Sequence, residues 1–230
     1  MRIKLLFLLI CLGSISLICG MNKIANEMLK EGFLMDDVEL MKEAIESGAD
    51  VNTQYNGVPV LLRAVRCQSK RPIVELLLAY KANPNIADNS GISHHSGETP
   101  ILAAVRHGNE DILKLLLDYG ADPDIENQDQ TSYTALISAM YYTSRGVVKL
   151  LLDAGSSLDI RNKWNLTALD IARIYKNTDF IELIKEEYKK REEKRQQVNK
   201  EIVESGCLLP DLASIVSEYA VCAKQKGGGK

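Results

Sequence analysis

Histidine is scarce in this chain: His94, His95 and His107 are the only three in 230 residues. A serine- or cysteine-based triad needs a histidine base oriented by a third group. A metal centre needs three or four ligands in fixed geometry. Two adjacent histidines in a polar loop, with a third a repeat-helix away, supply neither. No catalytic residue, no metal site and no cofactor is therefore expected. Cysteine is also sparse. Cys11 and Cys19 fall in an apolar leader, leaving Cys67, Cys207 and Cys222, whose irregular spacing is not a disulfide framework. Cys207 and Cys222 flank one predicted helix and can pair only if the chain folds back, so no structural disulfide is expected. A basic excess is missing too. The formal net charge of −3 argues against a general nucleic-acid binder.

What the chain does have begins with residues 1–20, which differ from everything after them. Arg2 and Lys4 precede Leu5–Ile10 and an uncharged run to Ile18, the pattern of a secretory signal peptide. Ser14-Ile15-Ser16 places small residues where a signal peptidase reads them, and Gly20 offers a later site. The mature chain is expected to begin between about residues 17 and 21, and the protein to be secreted or periplasmic. Cys19 would allow lipoprotein processing, but Ile18 stands where a small residue is wanted. The alternative is an uncleaved anchor, although the uncharged span is short of the ~20 apolar residues of a membrane-crossing helix.

The rest is organised around one unit, Thr99–Asp124, reading TPILAAVRHGNEDILKLLLDYGADPD. Thr99-Pro100 suits a helix start. Gly108-Asn109 breaks that helix. A second carries Ile112, Leu113, Leu115, Leu116 and Leu117, and Gly120 is placed to end it in the left-handed cap conformation. Two helices this short cannot cover their own apolar faces, so the unit needs copies. Ala104 recurs as Ala64, Ala139 and Ala172. Leu115-Leu116-Leu117 recurs as Leu76-Leu77-Leu78 and Leu150-Leu151-Leu152. The turn Gly120-Ala121-Asp122 recurs as Gly48-Ala49-Asp50, Lys81-Ala82-Asn83 and Gly155-Ser156-Ser157. The interval from Ala49 to Ala82 is 33 residues, and later ones are somewhat longer. A period in the low thirties with two helices and a turn marks a stacked solenoid.

These residues resemble the ankyrin repeat. Its Thr-Pro-Leu-His-x-Ala signature is matched by Thr99-Pro100-Ile101-Leu102-Ala103-Ala104, and more loosely by Thr134-Ala135-Leu136 and Thr167-Ala168-Leu169. Pro59 takes the threonine position in the second unit. The family's histidine, which fastens loop to helix, stands in none of these units. The resemblance covers about Asn22–Tyr188 and implies an all-α solenoid of about five helix-turn-helix units with a C-terminal helical extension. It also implies protein–protein recognition through a concave groove and loop tips.

Asn22–Asn52 reads as a divergent first repeat, with Ile24, Met28 and Leu29 as one apolar stripe and Val38, Met41, Ala44 and Ile45 as another. Lys23, Glu27, Lys30 and Glu31 supply the water-tolerant face a solenoid end requires. Between the second and third repeats, Ser90–Gly97 lengthens the connection into a polar finger carrying His94 and His95. At the end of the inner helices stand Arg66, Arg106-His107, Tyr141-Tyr142 and Ile174-Tyr175, which in the ankyrin family face the groove. Tyrosine and arginine are enriched at binding hot spots. The lone Trp164 sits in a turn, where it either packs on the neighbouring finger or meets a partner. The candidate partner-binding set is thus Arg66, His94, His95, Arg106, His107, Tyr141, Tyr142 and Trp164, expected to form one stripe with Trp164 and the His94-His95 finger along its rim.

Residues 21–188 form the expected repeat domain and 189–206 a charged helical spacer, with Glu186–Lys190 and Glu187–Arg191 as i,i+4 pairs. Between Lys189 and Gln197 no apolar residue provides a coiled-coil seam. Residues 207–230 comprise an amphipathic helix and a Gly- and Lys-rich tail. The run from Leu209-Pro210-Asp211-Leu212 to Ile215-Val216 and Tyr219 is similar to the opening helix of an F-box. The expected function is a non-enzymatic, exported, monomeric scaffold that binds a partner protein. Two alternatives remain: an effector recruiting a ubiquitin-ligase adaptor through residues 207–230, and a membrane-anchored structural scaffold.

Overall fold

The computed structural model describes residues 15–67, 70–91, 97–128, 131–142 and 144–204. The leader residues 1–14, the His94-His95 finger tip and the whole segment 205–230, with Cys207, Cys222 and the F-box-like run, lie outside them. The chain divides into two compact units, Met1–Ile181 and Glu182–Lys230.

Within the first unit the helices come in pairs. They are α1 (Ile15–Met35) with α2 (Val38–Glu46), α3 (Val60–Arg66) with α4 (Arg71–Ala79), α5 (Pro100–Arg106) with α6 (Glu110–Asp118), and α7 (Ala135–Tyr142) with α8 (Arg145–Asp153). The fifth pair is α9 (Ala168–Ile174) and the start of α10 (Thr178–Glu204). Two short strands, β1 (Gln54–Tyr55) and β2 (Val58–Pro59), pair antiparallel in the first finger. The inner helices α3, α5, α7 and α9 stack in chain order, and the outer helices α2, α4, α6 and α8 form a second row. This is the expected ankyrin-type all-α solenoid of five helix pairs.

Local chemistry sets the boundaries of α6. Asn109 caps α6 by accepting from the Ile112 N–H at 3.0 Å, with Glu110 and Asp111 in the positive first turn. At its other end Gly120 has φ of 83°, while the Gly120 and Ala121 N–H groups close on the Leu117 and Leu116 carbonyls. Packing then selects among the apolar positions. Ala64, Ala104, Ala139 and Ala172 are fully buried, because a larger side chain there would part the inner row. Of each leucine triplet the middle member is completely covered (Leu77, Leu116 and Leu151), whereas the first is only half-buried.

The first repeat corrects the expected stripe. Ile24 is 55 % exposed, and α1 buries Ala25, Leu29 and Phe33, an i, i+4, i+8 line one position later. Positions 17–21 lie inside α1. No described helix is long and apolar enough to cross a membrane. In the second unit, Glu187 takes both cations, Arg191 at 2.7 Å and Lys190 at 3.5 Å; the expected Glu186–Lys190 pair is replaced by Glu187–Lys190.

Successive repeats are also tied by a ladder absent from the sequence reading. The Asn26 side chain accepts from the Asp50 N–H, Asn52 from Asn83, Asn85 from Asp122 and Asp124 from Ser157, all within 2.7–2.8 Å. The signal was present: a second Asn or Asp follows two residues after the turn residue in Asp50-Val51-Asn52, Asn83-Pro84-Asn85 and Asp122-Pro123-Asp124.

Candidate functional site

The fingers and the C-terminal ends of the inner helices share one face of the repeat unit. Two glycines let the fingers close on one another. Gly57 has φ of 76°, and a Cβ there would lie 2.7 Å from the Asn89–Ser90 backbone; one on Gly97, at the same φ, would lie 2.2 Å from the Gln128 nitrogen. The Asn89 N–H bonds the Gly57 carbonyl and the Lys163 N–H bonds that of Thr131.

Near the end of each inner helix stands a residue eight positions after one in the finger: Val58 and Arg66, Glu98 and Arg106, Tyr133 and Tyr141, Leu166 and Ile174. The fold brings Glu98 onto Arg106 and Tyr133 onto Tyr141, and the chemistry at the helix ends changes along the array. In the second and third repeats it is ionic. The Arg66 guanidinium donates to Asp88 at 2.6 Å and to Glu98 at 2.8 Å, and Arg106 reaches the second Glu98 oxygen at 2.9 Å. Asp88 is 1 % exposed and Glu98 7 %. Burial pushes the Asp88 carboxyl up, but hydrogen bonds from Ser90 and the Arg66 cation outweigh it and hold it below the usual carboxylate range. The Asp88 N–H also donates to the Glu98 carbonyl, and the Gly97 N–H to that of Asp88, closing the base of the inserted finger. Arg66 and Arg106 are thus occupied in fastening this finger to α3 and α5.

In the fourth repeat the same address is aromatic, and two rings of the fifth repeat join it. Tyr133 stacks on Tyr141 with ring centroids 5.3 Å apart, and its hydroxyl donates to that of Tyr141 at 3.2 Å. Trp164 lies tilted at 6.0 Å from Tyr133, and Tyr175 meets Tyr141 edge-on at 5.3 Å. Tyr142 extends the surface at 6.0 Å from Tyr141. Burial, reinforced by the bond to Tyr141, raises the Tyr133 phenol well above its usual range. Asn162 holds the Trp164 turn: its side-chain oxygen accepts from the Trp164 and Leu166 N–H groups, both at 3.0 Å. Despite these contacts Tyr142, Tyr175 and Trp164 stay 62 %, 61 % and 57 % exposed, with Ile174 at 60 % beside them in sequence.

The expected stripe therefore splits. Arg66 and Arg106 converge on Glu98; Tyr141, Tyr142 and Trp164 belong to one aromatic surface. Trp164 packs on the neighbouring finger and still offers most of its ring to solvent. His107 joins neither group. It is exposed and borders a shallow cleft with Asn109, Glu110, Asp111 and Ser144. Partial desolvation of its ring, with the nearby Arg106 cation, holds its pKa below the usual histidine value. His94 and His95 lie outside the described residues. Sequence reasoning passed over Asp88, Glu98 and Tyr133, and it named Tyr175 at a helix end without placing it in the candidate set; the eight-residue pairing is the signal that finds Glu98 and Tyr133.

Ring centroids 5–6 Å apart leave no space for a guest between them, so the aromatics form a surface rather than a cage. The described residues contain no cluster of three or more metal-ligating side chains.

A family model for ankyrin repeats in three copies matches residues 32–127 and 72–163, more than half of the sequence. The chain belongs to the ankyrin-repeat family. A putative ankyrin repeat protein (R664) of Acanthamoeba polyphaga mimivirus is 33 % identical over 109 residues, which is 44 % of this chain and 64 % of that one. Serine/threonine-protein kinase 12 of Arabidopsis thaliana is 35 % identical over 85 residues, 37 % of this chain and 17 % of the kinase. Ankyrin repeat and MYND domain-containing protein 1 of Mus musculus is 42 % identical over 55 residues, 24 % of this chain and 5 % of that protein. The chain thus spans less than two thirds of each of these relatives, and the kinase match is confined to the repeat region. Ankyrin repeats are protein-interaction scaffolds, generally without enzymatic activity, and their partners are proteins. Thr99 and Thr167 show how loosely this chain keeps the family signature. Asp170 stands where the family's histidine would be and accepts from the Thr167 hydroxyl at 2.8 Å, whereas Leu102 offers Thr99 nothing.

Proposed function

We propose that this ankyrin-repeat chain recognises a partner protein through the aromatic half of its finger–helix face, Tyr141, Tyr142, Trp164 and Tyr175. One observation carries the reading: three large aromatic side chains stay more than half exposed although each packs against another ring. A pre-packed aromatic surface loses little side-chain freedom on binding, which is the main cost a recognition site must offset. Arg66 and Arg106, tied to Asp88 and Glu98, serve to hold the inserted finger.

The test is affinity capture from candidate lysates with the full mature chain and with a Tyr142→Ala/Tyr175→Ala variant of unchanged melting temperature. A specific partner should lose at least about tenfold in affinity to the variant, the scale of a two-residue hot spot. Undiminished capture would overturn the reading, and its disappearance on deletion of residues 208–230 would favour the F-box-like segment instead.

Export is proposed on the leader alone, from Arg2, Lys4 and the uncharged run to Ile18. Sequencing the N-terminus of the extracellular or periplasmic protein should give a start between about residues 17 and 21. Soluble protein that retains Met1 would overturn it.

A further inference from the structure

Charge around the aromatic surface is unlike that of the chain. The protein carries a net charge of −3. The stretch 161–176, which supplies Trp164 and Tyr175, nevertheless holds four cations, Arg161, Lys163, Arg173 and Lys176, against one carboxylate, Asp170. Asp170 draws two of them together, with Arg161 at 3.8 Å and Arg173 at 3.5 Å. The guanidinium of Arg161 also donates to the Asn165 carbonyl at 2.8 Å, anchoring it in the Trp164 turn. All four cations are exposed. The preceding finger carries Glu126 and Asp129 in sequence, and exposed Asp159 and Asp179 stand just outside the stretch. At the matching helix ends of the second and third repeats, Arg66 and Arg106 face the buried Asp88 and Glu98.

We infer that the occupant of this surface is an acidic peptide segment: an aromatic or leucine anchor set on the Tyr142–Tyr175–Trp164 rings, flanked by carboxylates facing Arg161, Lys163, Arg173 and Lys176. The inference rests on the aromatic reading above and adds the chemistry of the partner. Cationic ligands are disfavoured by the same four charges. A single-stranded nucleic acid would share the stacking and the anionic charge, yet it must extend beyond this patch across an acidic protein. A short peptide ends within the Debye length of ~8–10 Å over which the local charges dominate.

Trp164 is the only tryptophan, so its emission reports occupancy of this surface and nothing else in the chain. The probes are three synthetic hexapeptides with a tyrosine-leucine centre flanked on each side by two glutamates, two glutamines or two lysines, together with a twelve-nucleotide oligothymidine. The glutamate peptide should shift Trp164 emission and bind at least about tenfold more tightly than the glutamine peptide, and the lysine peptide should not bind. An Arg173→Glu/Lys176→Glu variant should lose that preference while keeping the glutamine peptide's affinity. If that variant does not fold, raising the salt on the wild-type chain should weaken the glutamate peptide and leave the glutamine peptide unchanged. Equal binding of the glutamate and glutamine peptides, tighter binding of oligothymidine, or no response to any peptide would overturn the proposal. Equal binding that is still lost in Tyr142→Ala/Tyr175→Ala would leave the aromatic site standing and remove only its charge preference.

Discussion

The second and third repeats and the fourth and fifth place residues at the same finger and helix-end positions and use them in opposite ways. Glu98 and Arg106 are spaced as Tyr133 and Tyr141 are, and each pair closes a finger onto its inner helix. The ionic pair spends its polar groups inside the protein, since Asp88 and Glu98 are buried and both arginines are engaged. The aromatic pair is satisfied by a single hydroxyl contact and leaves ring surface outside. A solenoid can therefore use one address to hold a finger and leave the equivalent address exposed, which is where partner contact is proposed. What differs is whether the side chains are used up by their neighbours.

The largest effect expected from breaking this contrast is at Arg66. Arg66→Leu leaves Glu98 with Arg106 but takes from buried Asp88 the cation it pairs with, and should lower stability by about 3–5 kcal/mol, the range for an orphaned buried charge. Urea denaturation measures it. Tyr142→Ala, on the exposed side of the aromatic half, should change stability by only about 0.5 kcal/mol. Similar losses at the two sites would erase the distinction.

Acid and alkali should separate the halves next. The Asp88 carboxyl is held low in the folded chain, so its contribution is present above the unfolded carboxylate value of about 3.9 and is lost as pH falls through the lower folded value. The Tyr133 phenol is raised, so its contribution is complete below about pH 10 and is lost as pH rises through the folded value. Tyr55, pushed up to about 12 chiefly by burial, adds to the alkaline side. Melting temperature against pH should show Asp88→Asn flattening the acid limb alone and Tyr133→Phe the alkaline limb alone. Either variant altering the other limb would contradict the assignment.

The smallest effects sharpen the comparison within the family signature. Thr167 caps α9 through a box with Asp170, accepting from the Asp170 N–H at 3.2 Å. The Thr99 hydroxyl is fully buried and finds no partner among the described residues. Thr167→Val should cost about 1 kcal/mol, whereas Thr99→Val should leave stability unchanged or raise it slightly, because it removes a buried hydroxyl that bonds nothing. Thermal or urea unfolding of the pair decides this, and equal losses would mean that Thr99 has a partner.

Much of this architecture follows from local rules. Thr99-Pro100 starts a helix, Asn109 caps one and Gly120 ends one through interactions that span only a few residues, and the spacing of Ala64, Ala104, Ala139 and Ala172 sets the stack. Periodicity was less reliable on α1, where one position separates the expected Ile24–Met28–Leu29 stripe from the buried Ala25–Leu29–Phe33 line. A helix packed on one side accepts either face until its neighbour is placed.

By itself, then, the sequence determined the repeat, its register, the helix ends and the aromatic and arginine character of the inner-helix ends, all of which are encoded within single units. Only the tertiary structure decided which of those side chains remain available. Arg66 meets Asp88 and Glu98 across 22 and 32 residues of chain, and Tyr141 meets Tyr175 across the next repeat boundary. Such pairings depend on how far each finger leans over its neighbour. Backbone packing such as that at Gly57 and Gly97 sets that lean, and no local pattern in the chain specifies it.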